Sequence, residues 1–254
     1  MASKELTAAI AAAQAAAEVI RRYYRNNPSV RIKADASPVT EADVQAEEVI
    51  HRTLNRAFPG YGFYGEETGQ HAMEQENIWL VDPIDGTKSF VRESPFFSTQ
   101  IALMRAGALV LGVSSAPVYD EFAWAEEGSG AFLNGQAVRV SAIAELSEAC
   151  VSTGNMTSLT QPPLWQRFGE LVRRVGRIRG YGDFVHYHLL ARGSLDVVIE
   201  TDVNILDIAA LTVLVREAGG TFTDIEGAPI GLASRSVLAT NGVLHGELLG
   251  ALTR

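Results

Sequence analysis

The stretch "IWLVDPIDGTKSF", residues 78–90, joins a strand-like segment to a polar turn. Its apolar residues 78–81 are typical of a buried strand. Asp82 and Asp85 follow, three positions apart, and the second begins an Asp-Gly turn signal. One carboxylate at a strand end is an ordinary turn residue. Two carboxylates that lead into a small-residue loop with a hydroxyl indicate a cation-binding site.

The 254 residues carry a net charge of −9, and 47% of them are hydrophobic. That length and apolar content allow one large core or two closely packed ones. The acidic charge leaves no broad basic surface for nucleic acid, and the single cysteine, Cys150, is typical of a reducing compartment. The alanine-rich N-terminal segment is interrupted by Gln14 and Glu18 and is too short to span a bilayer. We therefore expect no membrane partner and a cytoplasmic protein.

The first part of the chain predicts two helices followed by short strands. Apolar spacing predicts helices over residues 4–25 and 37–58, with Thr40 as the N-cap of the second. Short strands are predicted at 62–65 and 78–82. The two metal-binding candidates of this part, the GEE and DPIDGT motifs, lie at the ends of these strands.

The pattern of elements changes near residue 145. Between residues 98 and 140, Gly and Asn turns separate apolar segments, which is typical of an antiparallel meander. After it, strands and helices alternate. We therefore predict two sub-regions in one compact unit, 1–145 with the GEE and DPIDGT motifs and 146–254 with the LDIAA motif.

Six carboxylates lie at predicted element ends beside Gly, Pro or Thr: Asp43, Glu66, Glu67, Asp82, Asp85 and Asp207. Each has an ordinary explanation, since Asp43 fits a capping box with Thr40 and Asp207 fits the N-cap of its helix. Together they lie where open α/β layers gather functional groups. Because carboxylates without nearby His or Cys suit hard cations, we expect Mg²⁺, Mn²⁺ or Ca²⁺ to neutralise their mutual repulsion.

Gly86 and Thr87 offer backbone N–H groups beside these acids, which is typical of an anion cradle. An acidic protein holds a phosphate dianion poorly by its general charge. Metal ions bridge such a phosphate and also activate water. The residues therefore predict hydrolysis of a phosphate ester.

Four motifs resemble the inositol monophosphatase superfamily of Mg²⁺-dependent, lithium-sensitive phosphatases: KADASPVTEAD (33–43), GEE (65–67), WLVDPIDGTKSF (79–90) and LDIAALTVLVREAGG (206–220). The resemblance covers nearly the whole chain. It implies an α+β or α/β fold class, the layered αβαβα sandwich of the sugar-phosphatase type, and a homodimer. Within the superfamily, RIRGYGDFVHYHLLARGSLDVVIE (177–200) is most similar to the bacterial histidinol-phosphate phosphatases.

The resemblance implies a role for each matching residue. Two or three Mg²⁺ ions, with Mn²⁺ as an alternative, are held by Glu66, Asp82, the carbonyl of Ile84, Asp85 and Asp207. Phosphate is bound by the N–H groups of Gly86 and Thr87. The attacking water is oriented and deprotonated by Thr87, Asp43 and Glu66. The role of Lys33 stays open.

One position departs from the family pattern, because Leu206 stands where the family has Trp before the metal-binding Asp207. Leu keeps an apolar backing but loses a large ring. We expect metal binding to survive, with the carboxylate held slightly differently and the pocket wall changed.

Three residues are candidates for binding the leaving group of the substrate. Asp183 stands where, by the resemblance, inositol phosphatases carry Ser or Thr, and its carboxylate would pair with a cationic alcohol such as histidinol. The alternative for Asp183 is an N-cap of the following helix. Glu200 accepts hydrogen bonds from hydroxyl or ammonium groups alike, and Arg179 is the third candidate. His186 and His188 lie on different helix faces and are poor joint metal ligands.

We therefore predict a Mg²⁺-dependent phosphomonoesterase that acts on L-histidinol phosphate. A broad inositol-1-phosphate or sugar phosphatase with the same mechanism is the first alternative. A catalytically inactive, metal-binding regulatory member is the second.

Overall fold

The computed structural model describes residues 2–26, 30–32 and 38–253. Seven helices lie in this part of the chain: α1 (Lys4–Tyr23), α2 (Glu41–Ala57), α3 (Thr87–Val91), α4 (Leu164–Val172), α5 (Asp183–Ala191), α6 (Ile205–Glu217) and α7 (His245–Thr253). Both helices predicted in the first part of the chain are present, although the second begins only after Thr40. None of the helices in the described residues is long and apolar enough to cross a membrane.

Fifteen strands lie in the described residues: β1 (Val30–Ile32), β2 (Pro38–Thr40), β3 (Gly62–Gly65), β4 (Gly69–His71), β5 (Asn77–Asp85), β6 (Ser98–Arg105), β7 (Ala108–Ala116), β8 (Glu121–Glu126), β9 (Ala131–Leu133), β10 (Gln136–Val138), β11 (Cys150–Thr153), β12 (Arg177–Arg179), β13 (Val197–Thr201), β14 (Thr221–Thr223) and β15 (Ser236–Thr240). An eight-stranded sheet has the order β10-β9-β8-β7-β6-β5-β3-β4, and a five-stranded sheet has the order β12-β11-β13-β15-β14. β1 and β2 form a separate ribbon. The three-residue strands β1, β2, β4, β12 and β14 were missed from sequence, because so short a segment shows little periodicity.

Three apolar clusters divide the molecule into five layers. The outer helices α1 and α2 pack on one face of the eight-stranded sheet. The inner helices α5 and α6 fill the space between the other face and the five-stranded sheet. Helices α4 and α7 cover the far side of the five-stranded sheet. This is the predicted αβαβα sandwich, which is confirmed, whereas a division of the chain at residue 145 stays a prediction.

The inner layer is packed tightly where α6 crosses β7. A Cβ atom added at Gly112 of β7 would lie 2.3 Å from the carbonyl oxygen of Ala210 on α6. Only glycine lets the helix backbone approach the strand this closely. The close approach fixes the height of α6 above the sheet, and with it the position of the first turn of α6.

Two helices begin with the same capping arrangement. The side chain of Thr40 caps α2, and the N3 residue Asp43 accepts a hydrogen bond from the Thr40 backbone N–H at 2.7 Å. Asn204 caps α6 in the same way, and Asp207 at N3 accepts from the Asn204 N–H at 2.8 Å. The interpretation of Asp207 as an N-cap is therefore wrong. A capping box orients the carboxylate of its N3 residue, so both acids have fixed directions.

A bulge at the end of β5 explains the spacing of the two aspartates in DPID. Asp82 pairs with Gln100 of β6 and Asp85 pairs with Ser98, so four residues of β5 oppose three of β6. In a regular strand, residues three apart point to opposite faces of the sheet. The extra residue restores both carboxylates to one face. The hydroxyl of Thr99 donates to the carbonyl of Pro83 at 2.8 Å and anchors the bulge.

Candidate metal centre and active site

The bulge and the α6 cap bring three carboxylates together. One ligand oxygen from each of Asp82, Asp85 and Asp207 lies within 4.8 Å of the other two. Asp82 and Asp85 come from β5, and Asp207 comes from the first turn of α6, which lies above the same face. The carboxylate of Asp82 is further fixed because its Oδ1 accepts the Ile84 N–H at 2.9 Å.

Burial and crowding raise the pKa of every member of this cluster. For Asp82, burial is the largest cause, followed by the charges of Glu66, Asp85 and Asp207, and the pKa lies well above its ordinary value. Burial and the charges of neighbouring acids also raise the pKa of Asp85 well above that value. The pKa of Asp207 is raised to about 7, mainly by burial, although hydrogen bonds from Asn204 oppose the shift. Acids that resist joint ionisation are stabilised as carboxylates by a cation.

The donor set of the cluster fits a hard divalent cation. All the side-chain ligand atoms of the cluster in the described residues are carboxylate oxygens. The carbonyl oxygen of Ile84 already accepts the Thr87 hydroxyl at 2.9 Å, and a carbonyl oxygen has a second lone pair to offer. Oxygen ligands of this kind suit Mg²⁺, Mn²⁺ or Ca²⁺ and not zinc.

Glu66 reaches the same cleft from β3. The strand ends at Gly65, and the Glu66 N–H donates to the carbonyl of Val81 on β5 at 3.1 Å. Glu66 lines a cleft of 330 Å³ together with Asp82 and Asp85. Its charge and a hydrogen bond both contribute to the raised pKa of Asp82, which places the two side chains in contact.

Asp43 and Thr87 form a hydrogen-bonded pair at the edge of the cleft. The Thr87 hydroxyl lies 3.1 Å from Oδ1 of Asp43 and 2.9 Å from the Ile84 carbonyl oxygen, so its one proton has two acceptors in reach. The other oxygen of Asp43 accepts both the N–H and the hydroxyl of Thr40. Burial raises the pKa of Asp43, and the hydrogen bonds from Thr40 oppose that shift.

The turn between β5 and α3 places backbone amides along the cleft, which Gly86 and Thr87 line. Gly86 has a φ of 90° and is the N-cap of α3. A side chain at this position would be strained by that φ, and its Cβ would lie 2.8 Å from the carbonyl oxygen of Phe96. The first N–H groups of a helix have no partner within the helix. The turn therefore presents donors beside the carboxylate cluster.

Asp183 and Glu200 face a small cavity next to the cluster. This cavity is shared by Asp85, Asp183, Glu200 and Asp207. Asp183 is the first helical residue of α5, whose N-cap is Gly182 without any side-chain cap, so the N-cap interpretation of Asp183 is wrong. Burial, followed by the charge of Glu200, raises the pKa of Asp183 to about 6.

Glu200 is held by three donors from the protein. Its Oε2 accepts the Tyr187 hydroxyl at 2.7 Å and lies 3.1 Å from Nε2 of His186, and its Oε1 accepts the Asn155 N–H at 3.1 Å. Burial alone would raise the pKa of Glu200, but His186 and the other donors outweigh it and lower the pKa. About four lone pairs are available on a carboxylate, so little of this one is left for a ligand.

The remaining predicted residues lie elsewhere. Arg179 is exposed on the edge strand β12, where its guanidinium donates to the carbonyl of Ile178, and it is absent from the described walls of both cavities. Leu206 is buried in the inner layer. His186 and His188 are both fully buried and have separate partners, so they are not joint ligands. Lys33 lies outside the described residues.

Two site residues were missed from the sequence. Asn204 holds Asp207 through its N–H and its side-chain amide, and the N-x-x-D spacing at 204–207 repeats the T-x-x-D spacing at 40–43, so the signal was present. Asn155 lines both cavities, and no spacing in the sequence pointed to it.

Comparison with known proteins agrees with this geometry. The model of the inositol monophosphatase family matches residues 1–254. A histidinol-phosphatase from Mycobacterium tuberculosis is 41% identical, with 99% of each chain covered. An inositol-1-monophosphatase from Caulobacter vibrioides is 34% identical, covering 96% of this chain and 98% of the relative. The crystal structure of the extragenic suppressor protein suhB from Bartonella henselae has a TM-score of 0.91 at 34% identity, with 99% of each chain covered.

The five-layered fold and its acidic cleft thus define a class of enzyme, the phosphoric monoester hydrolases that act on small phosphorylated substrates. The chain belongs to the inositol monophosphatase family, whose members are metal-dependent phosphatases.

Proposed function

We propose that this protein is a Mg²⁺-dependent phosphomonoesterase that converts L-histidinol phosphate and water to L-histidinol and phosphate. The observation that carries the proposal is the acidic lining of the leaving-group side. Asp183 and Glu200 share a small cavity with the metal-binding candidates Asp85 and Asp207. An acidic wall favours an alcohol that carries a positive charge, as histidinol does through its amine and imidazole.

In this proposal the cations are held by one group of residues: Glu66, Asp82, the carbonyl of Ile84, Asp85 and Asp207. Two or three Mg²⁺ ions, or Mn²⁺ in their place, match this number of oxygen donors. Once bound, the metal supplies positive charge to the phosphate oxygens and lowers the pKa of the attacking water. Support comes from the 4.8 Å cluster of oxygens and from the raised pKa values within it.

The proton of the attacking water leaves through side chains of this chain. Thr87 lies within hydrogen-bond distance of Asp43, and we assign the two, together with Glu66, to orienting and deprotonating the water. The water oxygen forms a bond to phosphorus as the bond from phosphorus to the alcohol oxygen breaks. The proton taken from the attacking water is returned to the departing alcohol oxygen, and the N–H groups of Gly86 and Thr87 hold the phosphate.

In this proposal Asp183 contacts the leaving group, whereas Glu200 mainly shapes the cavity wall. Because Glu200 already accepts three hydrogen bonds, it shapes the cavity more than it binds substrate. Arg179 would contact substrate only after a rearrangement of β12, since its guanidinium donates to its own strand.

The test is phosphate release from a substrate panel, combined with Asp183→Asn. L-Histidinol phosphate should give the highest kcat/KM when compared with myo-inositol 1-phosphate, fructose 1,6-bisphosphate and 3′-phosphoadenosine 5′-phosphate. A charge-assisted hydrogen bond is worth about 1.5–3 kcal/mol, so the variant should lose roughly 10- to 100-fold in kcat/KM for histidinol phosphate. Turnover of myo-inositol 1-phosphate, whose alcohol part carries no charge, should change little, and this substrate is the internal control. An equal loss on both substrates, or a clear preference for inositol phosphate, contradicts the assignment.

The second candidate is hydrolysis of inositol-1-phosphate or of a broad set of sugar phosphates. The similarity to the Caulobacter inositol-1-monophosphatase favours it. The chemistry at the cluster is the same, and only the leaving-group contacts differ. Under this alternative, Asp183→Ser leaves the preferred turnover nearly unchanged, and the same panel separates the two proposals.

The sequence resemblance further supports a homodimer, a cytoplasmic location and inhibition by lithium as parts of this proposal. Light scattering coupled to size exclusion measures the first. Phosphate release in the presence of LiCl measures the third.

A further inference from the structure

A second acid of α2, Glu47, lies one helical turn after Asp43 and is fully buried. Its Oε2 accepts the backbone N–H of Glu67 and its Oε1 accepts that of Thr68, both at 2.8 Å. The carboxylate also lies flat against Gly65, where an added Cβ would be 2.5 Å from Oε1. A single side chain of α2 thus holds the turn that follows β3.

Glu66 is the first residue of this turn. Its own N–H is bound to the Val81 carbonyl of the neighbouring strand at 3.1 Å. The amides of the next two residues are bound to Glu47. The turn is therefore fixed from the sheet on one side and from α2 on the other, and the Glu66 side chain projects into the cleft beside Asp82.

The Glu47 carboxylate suits a role in binding the two backbone N–H groups of the turn after β3. A buried carboxylate is costly unless its oxygens are hydrogen-bonded, and in the described part of the chain Glu47 forms no ion pair. Its two oxygens are both acceptors for two parallel N–H donors. Glutamine has the same shape, but its amide nitrogen would face one of those N–H groups, donor against donor.

We infer that Glu47 is a positioning residue that holds Glu66 beside the carboxylate cluster and thereby sets the affinity of the site for Mg²⁺. This inference rests on the proposed function for the identity of the ion. Helix α2 then contributes two residues to the site. Asp43 accepts a hydrogen bond from Thr87 directly, and Glu47 acts through the backbone of the turn after β3.

The experiment compares wild type with Glu47→Gln, and it does not depend on turnover alone. Amide hydrogen exchange should become faster at Glu67 and Thr68, and calorimetric titration with MgCl₂ should show a loss of affinity. Substitution of residues that orient metal ligands typically costs about 10- to 100-fold in metal affinity or activity, and we expect a loss in that range. The Mg²⁺ concentration for half-maximal activity should rise by a similar factor, while the KM for substrate at saturating Mg²⁺ changes little.

Further variants supply the control and an independent test. Glu48→Gln is the matched control, because Glu48 is exposed on the next position of α2, and it should behave as wild type in every measurement. Gly65→Ala pushes a Cβ against the Glu47 carboxylate, so it should weaken Mg²⁺ binding as Glu47→Gln does. In the Glu47→Ala background this clash is absent, so Gly65→Ala should reduce the affinity for Mg²⁺ less than it does in the wild-type protein.

The outcomes separate cleanly. Faster exchange at the two amides with Mg²⁺ affinity within twofold of wild type overturns the inference, because Glu47 would then be structural only. If Glu47→Gln does not fold, Gly65→Ala decides the question, and wild-type Mg²⁺ affinity in that folded variant overturns the inference equally. Absence of phosphate release from every substrate by the wild-type protein refutes the proposed function, yet leaves the exchange and calorimetric comparisons valid.

Discussion

Replacing Asp85 by Asn tests the carboxylate cluster directly, because it removes one charge and nearly keeps the shape. The ligand oxygens of Asp82, Asp85 and Asp207 lie within 4.8 Å of one another. Two unit charges at such a distance repel by about 3 kcal/mol at an effective dielectric constant of about 20. Asp85 has two such neighbours, and partial protonation reduces the repulsion. The metal-free variant is therefore expected to gain roughly 2–4 kcal/mol in free energy of unfolding near pH 8.

The assay is thermal unfolding at pH 8, first in EDTA and then in excess Mg²⁺. In EDTA the variant should melt roughly 4–16 °C above wild type, since about 1 kcal/mol corresponds to about 2–4 °C in a protein of this size. A ligand at about 100 times its Kd stabilises the folded state by about 2.7 kcal/mol, so wild type should melt higher in Mg²⁺. Asp85→Asn should lose most of that gain and all measurable phosphate release.

Asp120→Asn provides the control, since it makes the same chemical change at an exposed carboxylate outside the cleft. It should match wild type in both conditions. The assignment of Asp85 to a cation site is refuted if Asp85→Asn melts at or below wild type in EDTA and still gains the full stabilisation from Mg²⁺. In that case the acids neither repel one another nor hold the ion.

Three other perturbations have defined outcomes. The folded-state pKa of Asp207 is raised to about 7 and that of Asp183 to about 6, so the folded metal-free protein binds protons more tightly than the unfolded chain. The Tm in EDTA should therefore fall as pH rises from about 5 to about 7. A Tm that rises across this window contradicts the raised pKa values. Because Gly86 has a φ of 90°, Gly86→Ala should lower the free energy of unfolding, measured by chemical denaturation, by about 1–2 kcal/mol. It should also abolish most of the phosphate release, and wild-type turnover would count against the amide turn as a phosphate site. Gly112→Ala should cost about 1–3 kcal/mol, because its Cβ would overlap the carbonyl of Ala210; an unchanged denaturation midpoint would show that α6 can move away freely.

Local signals in the sequence were sufficient for much of the fold. The capping box of Thr40 and Asp43, the apolar periodicity of α1, the continuous apolar segment of α6 and the Gly and Asn turns of the meander act within a few residues, so they can be read from the chain alone. The acidic motifs also identified the residue types of a hard-cation site. Their order along the chain was enough for the family, which the comparisons confirm.

The faces on which the acids lie were decided by strand pairing. A strand of period two would separate Asp82 from Asp85, and only the bulge against β6 returns them to one face. A bulge depends on the partner strand, and nothing in the DPID motif specifies that partner. The alternative explanation of Asp207 as an N-cap was wrong for a related reason, since the sequence did not decide between Asn204 and Asp207 as the first residue of the cap.

Contacts between distant segments were decided by the tertiary structure alone. Glu47 and the amides it binds are 20 and 21 positions apart, and Asp183 meets Glu200 only because α5 packs on β13. Arg179 lies close to Asp183 in sequence, yet the edge position of β12 turns it away from the cleft. The sequence by itself determined which oxygen-bearing groups are present and how each local element begins. Their distances, burial and shared charge follow from the packing of five layers, because those quantities depend on chain segments that have no local signal for one another.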